Sequence, residues 1–195
     1  MESVKDRKQY TRFEIANTLR ILTPEQISEK AAAVEDRLCN FANFLESKIV
    51  LMYINNINEV STAGILKKCS LYEKTVVLPM FGTEHFDLKL FKTVNLDSDL
   101  KTGARGVLEP DVKKCKIVPI DFIDIAIIPG LASDTKGGRI GGGDGYYDRL
   151  IPKLSNTTRK VALAFECQII QQIPVEAHDR HVDIIVTEKR IIYKI

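Results

Sequence analysis

The sequence predicts an α/β protein built on a largely parallel sheet with helices on both faces, folded as a single domain over residues 1–195. Three observations predict it. The runs Ile49 to Ile54, Ile123 to Ile128 and Val182 to Thr187 have the length and near-continuous apolarity of strands buried on both sides. Segments with helical spacing lie between such runs, as parallel strands require. One glycine-rich stretch leads from the second run into a further helical segment. A chain of 195 residues is long enough to bury a core without disulfide or metal staples.

Taken in order, Val4 to Leu22 carries apolar residues near helical spacing. Thr23-Pro24-Glu25-Gln26 then supplies an N-cap, a proline at the first helical position and a glutamine three residues after the cap, so a second helix is expected to end near Phe44. Asn55 to Asn58 reads as a loop after the first strand, Ser61 to Cys69 as helix, and Thr75 to Pro79 as strand. Phe86 to Phe91 alternates with period two, as a half-exposed strand does. Asp121 to Pro129 repeats the buried type. Beyond the glycines, Tyr146 to Leu154 predicts helix, Lys160 to Phe165 strand, Gln168 to Gln172 a short helix, and Ile191 to Ile195 an edge strand.

Lys and Arg number 28 against 26 Asp and Glu, interspersed along the chain for a net charge of +2, so nucleic acid is not an expected partner. No apolar run approaches the roughly 18 residues of a membrane span, and Met-Glu-Ser-Val-Lys-Asp is too polar for a signal peptide. A cytoplasmic protein without membrane contact is expected. Cys39, Cys69, Cys115 and Cys167 form no C-x-x-C pair and are expected to be reduced; Cys167, near the candidate site, reads as a small hydrophobe before a nucleophile.

Six of the nine residues from Gly137 to Gly145 are glycine, out of 11 in the chain. Glycines let backbone N–H groups approach a ligand closely, and Arg139 adds a fixed cation, so the stretch suits phosphate. It is neither G-x-x-x-x-G-K-[ST] nor G-x-G-x-x-G, where Tyr146 takes the last place, and a hairpin whose glycines serve only turn geometry stays open. Tyr146 and Tyr147 can stack on rings, and Asp148 can hold magnesium beside phosphates, with Asp183 as the second carboxylate. Asp148 as a helix-start charge and Asp183 as a strand-end turn former are the plainer alternatives. His178 and His181 lack the spacing of a zinc hydrolase on a helix, and His85 reads as solvated.

The ordered set Pro129 to Ala132, Asp134, Gly137 to Arg139, Gly141 to Arg149, Ala164 to Gln168, Ile173 to Glu176, His178-Asp179 and Val182-Asp183 closely resembles the 5-formyltetrahydrofolate cyclo-ligase family. Lys8 to Arg12 is similar to the K-x-x-x-R of that family's first helix, and Ile49 to Thr62 to its first strand and substrate-facing turn. The resemblance implies a three-layer fold of the sugar-phosphate-isomerase and CoA-transferase type. It also implies ATP- and Mg2+-dependent closure of 5-formyltetrahydrofolate to 5,10-methenyltetrahydrofolate, with release of ADP and phosphate, by phosphorylation of the formyl oxygen and attack of N10.

Carried onto this sequence, the resemblance makes Lys8, Arg12, Arg139, Ile140, Gly141, Gly142, Gly143, Asp144, Gly145, Tyr146 and Tyr147 the ATP site. Ile54, Glu59, Gly142, Gly143, Asp144, Gly145 and Tyr146 become the folate site, Asp148 and Asp183 the magnesium ligands, and Arg12, Arg139, Tyr146 and Asp148 the catalytic set. The partners implied are the two small-molecule substrates, taken by a monomer. Relatives often carry a large or basic residue where Gly142 stands, and Gly or Lys where Asp144 stands, so this loop holds less positive charge. That difference motivates a second reading, a nucleotide- or folate-binding protein without turnover; a third is a metal-dependent hydrolase built on His178, His181, Asp179 and Asp183.

Overall fold

The computed structural model describes residues 3–82, 88–103 and 106–194. Its main sheet has eight strands in the order β13-β12-β10-β7-β1-β2-β3-β6. The five central strands are β1 (Ile49–Leu51), β2 (Thr75–Phe81), β7 (Ile125–Ile128), β10 (Arg159–Leu163) and β12 (Ile184–Val186), all mutually parallel. The antiparallel edges are β3 (Leu88–Thr93) with β6 (Lys116–Ile117) on one side and β13 (Ile191–Tyr193) on the other. The short strands β4 (Leu100–Thr102) and β5 (Leu108–Pro110) make a hairpin, while β8 (Ala132–Asp134), β9 (Arg139–Ile140) and β11 (Ile169–Ile170) form a small mixed sheet.

Buried central strands send alternate side chains to two cores. Val50, Ile125, Ile127, Val161 and Ile184 belong to one, with Ile15 and Leu19 of α1 (Val4–Arg20), Leu38 of α2 (Pro24–Cys39), Phe44 of α3 (Ala42–Glu46) and Ile65 of α4 (Ala63–Leu71). Leu51, Ala126, Ile128, Ala162 and Ile185 pack on the other face with Leu150 of α6 (Tyr146–Leu150) and Leu154. The remaining helix, α5 (Leu96–Asp99), precedes the β4–β5 hairpin. Ser3 and Thr23 cap α1 and α2 in capping boxes with Asp6 and Gln26.

Some expectations needed correction. The second helix stops at Cys39, and residues 42–46 form a separate turn of helix. The helix expected over 168–172 is a 3-10 turn, Glu166–Gln168, followed by β11, because Ile169 and Ile170 pair in parallel with Ser133 and Asp134. The helix after the glycines ends at Leu150 and continues as a 3-10 turn over Ile151–Lys153, with Pro152 at its first turn. The alternating strand is described from Leu88 to Thr93; His85, Phe86, Asp87 and Ile195 lie outside the described residues.

Candidate active site

The chain runs from β1 outward to β2 on one side and returns to β7 on the other, so the strand order reverses between β1 and β7. Open parallel sheets leave a crevice beyond the strand ends at such a point. A cavity of about 670 Å3 lies there, lined by Tyr53 and Ile54 after β1, Leu78, Pro79 and Phe81 of β2, and Pro129 after β7. One face of α1 supplies Lys5, Lys8, Gln9 and Arg12, which its 3.6-residue turn brings into line. The rest of the wall comes from Asn56 and Glu59, residues 139–148, the β4–β5 hairpin at Val107 to Glu109, and Glu176, His178 and Asp179.

The glycine stretch is anchored from below. The buried Asp134 carboxylate accepts the backbone N–H groups of Lys136, Gly138 and Ile173, each at 2.9 Å, which closes the turn before Arg139. Gly137 has φ +83°, and a Cβ there would meet the Val182 carbonyl oxygen at 2.3 Å, so no other residue fits. Downstream, Gly145 in the left-handed region starts α6. A Cβ added at Gly142 would meet open space, with no heavy atom within 4 Å apart from its chain neighbours.

Arg12, Arg139 and Lys8 line the cavity beside this loop. Arg12 Nε donates to the Gly141 carbonyl at 2.9 Å, tying α1 to the loop; burial lowers its pKa, and Asp179 opposes that shift. Arg139 is almost wholly buried, donates through Nη2 to Asp148 Oδ1 at 3.1 Å and lies over the Tyr147 ring, while its Nε has no hydrogen-bond partner. Lys8 Nζ donates to Asp179 and Glu176. Burial alone would lower the Lys8 pKa, but the two carboxylates more than offset it, and the ammonium is held above its ordinary range. Asp148 Oδ1 takes a second bond, from the Arg180 backbone N–H at 3.0 Å.

The cavity also has aromatic and acidic lining. Phe81 packs on Tyr146 with ring centroids 4.4 Å apart and meets Tyr147 at 5.7 Å, while Arg149 covers the Tyr146 ring. Glu59 sits in a loop closed by the Asn56 N–H donating to its Oε2 at 2.8 Å; burial pushes its carboxyl pKa up, and the Asn56 bonds pull the other way. This loop is bolted to the sheet by Gln168, fully buried, whose Nε2 donates to the carbonyls of Asn58 and Leu131 at 2.9 Å each.

Lys8, Arg12, Ile54, Glu59 and the whole of Arg139 to Asp148 therefore line one cavity, although the sequence separates them by more than a hundred positions. Asp183 does not join them. It stands at the entry to β12, where its Oδ2 accepts the Lys160 backbone N–H at 3.0 Å and pairs with the Lys160 ammonium at 3.3 Å, so it is not assembled with Asp148 as a metal pair. The hydrolase set comes apart too: among the described residues, the one group of three potential metal donors is Glu176, His178 and Asp179, and the Lys8 ammonium is bonded to its carboxylates. Cys167 is half-buried outside the cavity, and burial raises its thiol pKa, opposite to an activated nucleophile.

Sequence reasoning missed several lining residues. Lys5 and Gln9 were legible as helical neighbours of Lys8 and Arg12. Tyr53 lies within the Ile49 to Thr62 segment beside Ile54, whereas Phe81 and Val107 to Glu109 carried no motif and reach the cavity only through the sheet order and the hairpin.

Comparisons with known proteins identify the family. The 5-formyltetrahydrofolate cyclo-ligase family model matches residues 4–188. The Haemophilus influenzae 5-formyltetrahydrofolate cyclo-ligase is 29% identical over 89% of this chain and 93% of its own length, and the Escherichia coli K12 enzyme of that name is 27% identical over 88% and 95%. Among solved structures, the Aquifex aeolicus 5,10-methenyltetrahydrofolate synthetase superposes with a TM-score of 0.82 at 30% identity, covering 95% of this chain and 92% of that one. The Mycoplasma pneumoniae 5,10-methenyltetrahydrofolate synthetase shares the fold, with a TM-score of 0.73 at 17% identity over 93% and 98% of the two chains. With the match running from α1 through the last central strand and spanning every wall of the cavity, the chain belongs to the 5-formyltetrahydrofolate cyclo-ligase family.

Proposed function

We propose that this cavity carries out the family's reaction, the ATP-dependent conversion of 5-formyltetrahydrofolate to 5,10-methenyltetrahydrofolate with release of ADP and phosphate. The observation that carries the reading is the meeting of Lys8, Arg12, Arg139 and the glycine loop with Glu59 and the Phe81–Tyr146 wall in one space of about 670 Å3, within the range of small-molecule sites. The cations and loop amides suit a triphosphate, and the aromatic and acidic wall suits a flat, N–H-rich heterocycle.

A formamide oxygen is a poor leaving group. In the proposed sequence that oxygen attacks the γ-phosphorus, the β–γ bridging bond breaks and ADP departs. N10 then attacks the activated formyl carbon, its N–H proton passes to the phosphate, and the C–O bond breaks to release inorganic phosphate. Lys8, Arg12 and Arg139 neutralise charge on the transferring phosphoryl group, and the apolar wall keeps water from the activated carbon. Arg139, held by Asp148 and Tyr147, needs little reorganisation during transfer. Glu59 is the group to bind the pterin's polar edge, and Tyr146 borders both substrates.

Magnesium fits this site through Asp148. Among the described residues both of its hydrogen bonds fall on Oδ1, which leaves Oδ2 as the oxygen for a hard cation that otherwise takes phosphate oxygens and water. Such an ion would add charge neutralisation at the polyphosphate. The strand order supports the sugar-phosphate-isomerase and CoA-transferase type as the finer fold class, and we infer a single-domain, monomeric enzyme.

The test is absorbance at the methenyl chromophore together with phosphate release, using purified protein, 5-formyltetrahydrofolate, ATP and Mg2+. Both signals should rise together and vanish without ATP. Binding of both ligands with neither signal would instead identify a binding protein without turnover.

A further inference from the structure

We infer that Asp179 is a positioning residue that holds the Lys8 ammonium at the phosphate end of the cavity, and that the segment 176–180 sets Lys8 against Asp148. The inference rests on the reading of Lys8 as a ligand of the nucleotide phosphates.

Lys8 Nζ lies 2.8 Å from Asp179 Oδ1, 2.6 Å from Asp179 Oδ2 and 2.9 Å from Glu176 Oε2, across a sequence separation of 168 residues or more. The Asp179 carboxylate is itself fixed, because its Oδ2 accepts the Glu176 backbone N–H at 2.6 Å while the Asp179 N–H donates to the Glu176 carbonyl at 3.0 Å. The next residue, Arg180, donates its backbone N–H to Asp148 Oδ1. Two consecutive residues thus grip a cation carried by α1 and a carboxylate carried by α6, the two elements that flank the glycine loop.

An ammonium has three donors. All three oxygens that face it here belong to carboxylates, two to Asp179 and one to Glu176, so a phosphate oxygen would take the place of the more exposed Glu176 while Asp179 keeps the ammonium in position. A lysine already held this way gives up little side-chain freedom when the nucleotide arrives, whereas a free one must be immobilised at that moment. Asp179 outweighs Glu176 in this role: its side chain is 11% exposed against 39%, and both of its oxygens lie within hydrogen-bond reach of the ammonium. The lysine also occupies the place a metal ion would take among Glu176, His178 and Asp179.

The experiment compares Asp179→Ala, Asp179→Asn, Lys8→Met and the double variant Lys8→Met/Asp179→Ala by KM for ATP, kcat and KM for the folate. Titration with a non-hydrolysable ATP analogue replaces KM where turnover is too slow. Asp179→Ala should raise the ATP value about tenfold, with a smaller fall in kcat and an unchanged folate value. Asp179→Asn keeps an acceptor and should recover part of the loss. In the Lys8→Met background, Asp179→Ala should add nothing. An equal fold-loss in both backgrounds would show that Asp179 acts independently of Lys8, and an unchanged or lowered ATP value in Asp179→Ala would show that it does not position the ammonium; either overturns the inference. An unaltered ATP value in Lys8→Met alone would instead refute Lys8 as a phosphate ligand, and the inference would fall with it.

Discussion

Asp148 offers the sharpest test of the site, because one substitution separates the ion pair it makes from the role proposed for it in turnover. It is the ion-pair partner of Arg139, whose side chain is only 2% exposed, and its own side chain is 17% exposed. Removing it with Asp148→Ala leaves a buried guanidinium without a counter-ion and strands the Arg180 N–H. Breaking such a pair costs about 3–5 kcal/mol, and the partial exposure of Asp148 argues for about 3. For a chain of this size each kcal/mol is worth roughly 2–4 °C, so Asp148→Ala should melt about 6–12 °C below the parent and lose phosphate release. Asp148→Asn keeps an acceptor for both donors and should recover much of the melting temperature but little turnover. The double variant Arg139→Met/Asp148→Leu replaces the pair with apolar groups and should also regain stability while remaining inactive. Differential scanning calorimetry beside the phosphate assay reads both tasks. If Asp148→Ala melts within about 2 °C of the parent, Arg139 is not a buried cation dependent on that carboxylate, and the account of the loop is wrong.

Other outcomes follow from the same geometry. Gly142→Lys extends a cation from a position where the added Cβ meets open space, so it should be tolerated and lower the KM for ATP several-fold, read by initial rates at varied ATP. Burial raises the Glu59 pKa in the folded protein, so the native state holds this proton more tightly than the unfolded chain does, and stability falls as pH rises from about 4.3 through the raised folded value. Glu59→Gln removes this component: its melting temperature relative to the parent should be higher at pH 7 than at pH 4, while the KM for the folate increases at both. Gln168→Leu strands the carbonyls of Asn58 and Leu131 and should destabilise the fold by about 2–3 kcal/mol, with a larger rise in KM for the folate than for ATP, because Asn58 adjoins Glu59.

Much of this protein is written locally in its sequence. Central strands must be apolar on both faces, so the runs at 49–54, 123–128 and 182–187 announced themselves, as did the caps at Thr23 to Gln26 and the concentration of glycine at 137–145. Lys8 and Arg12 share a helix face by periodicity alone, and the ordered motifs from Pro129 to Asp183 carry the family resemblance without tertiary information. Other features depend on distant partners. The antiparallel edges, the strand pairing that turns Ile169 and Ile170 away from helix, and the arrival of Phe81 and Val107 to Glu109 at the cavity are set by sheet order and hairpin placement, which no local pattern encodes. Asp148 and Asp183 looked alike in sequence, each a carboxylate at the start of an element. Only the tertiary structure distinguished them, by presenting Asp148 to a buried arginine beside the cavity and Asp183 to Lys160 on a neighbouring strand, because the preferred partner of a charge is decided by what the fold brings within about 3 Å of it.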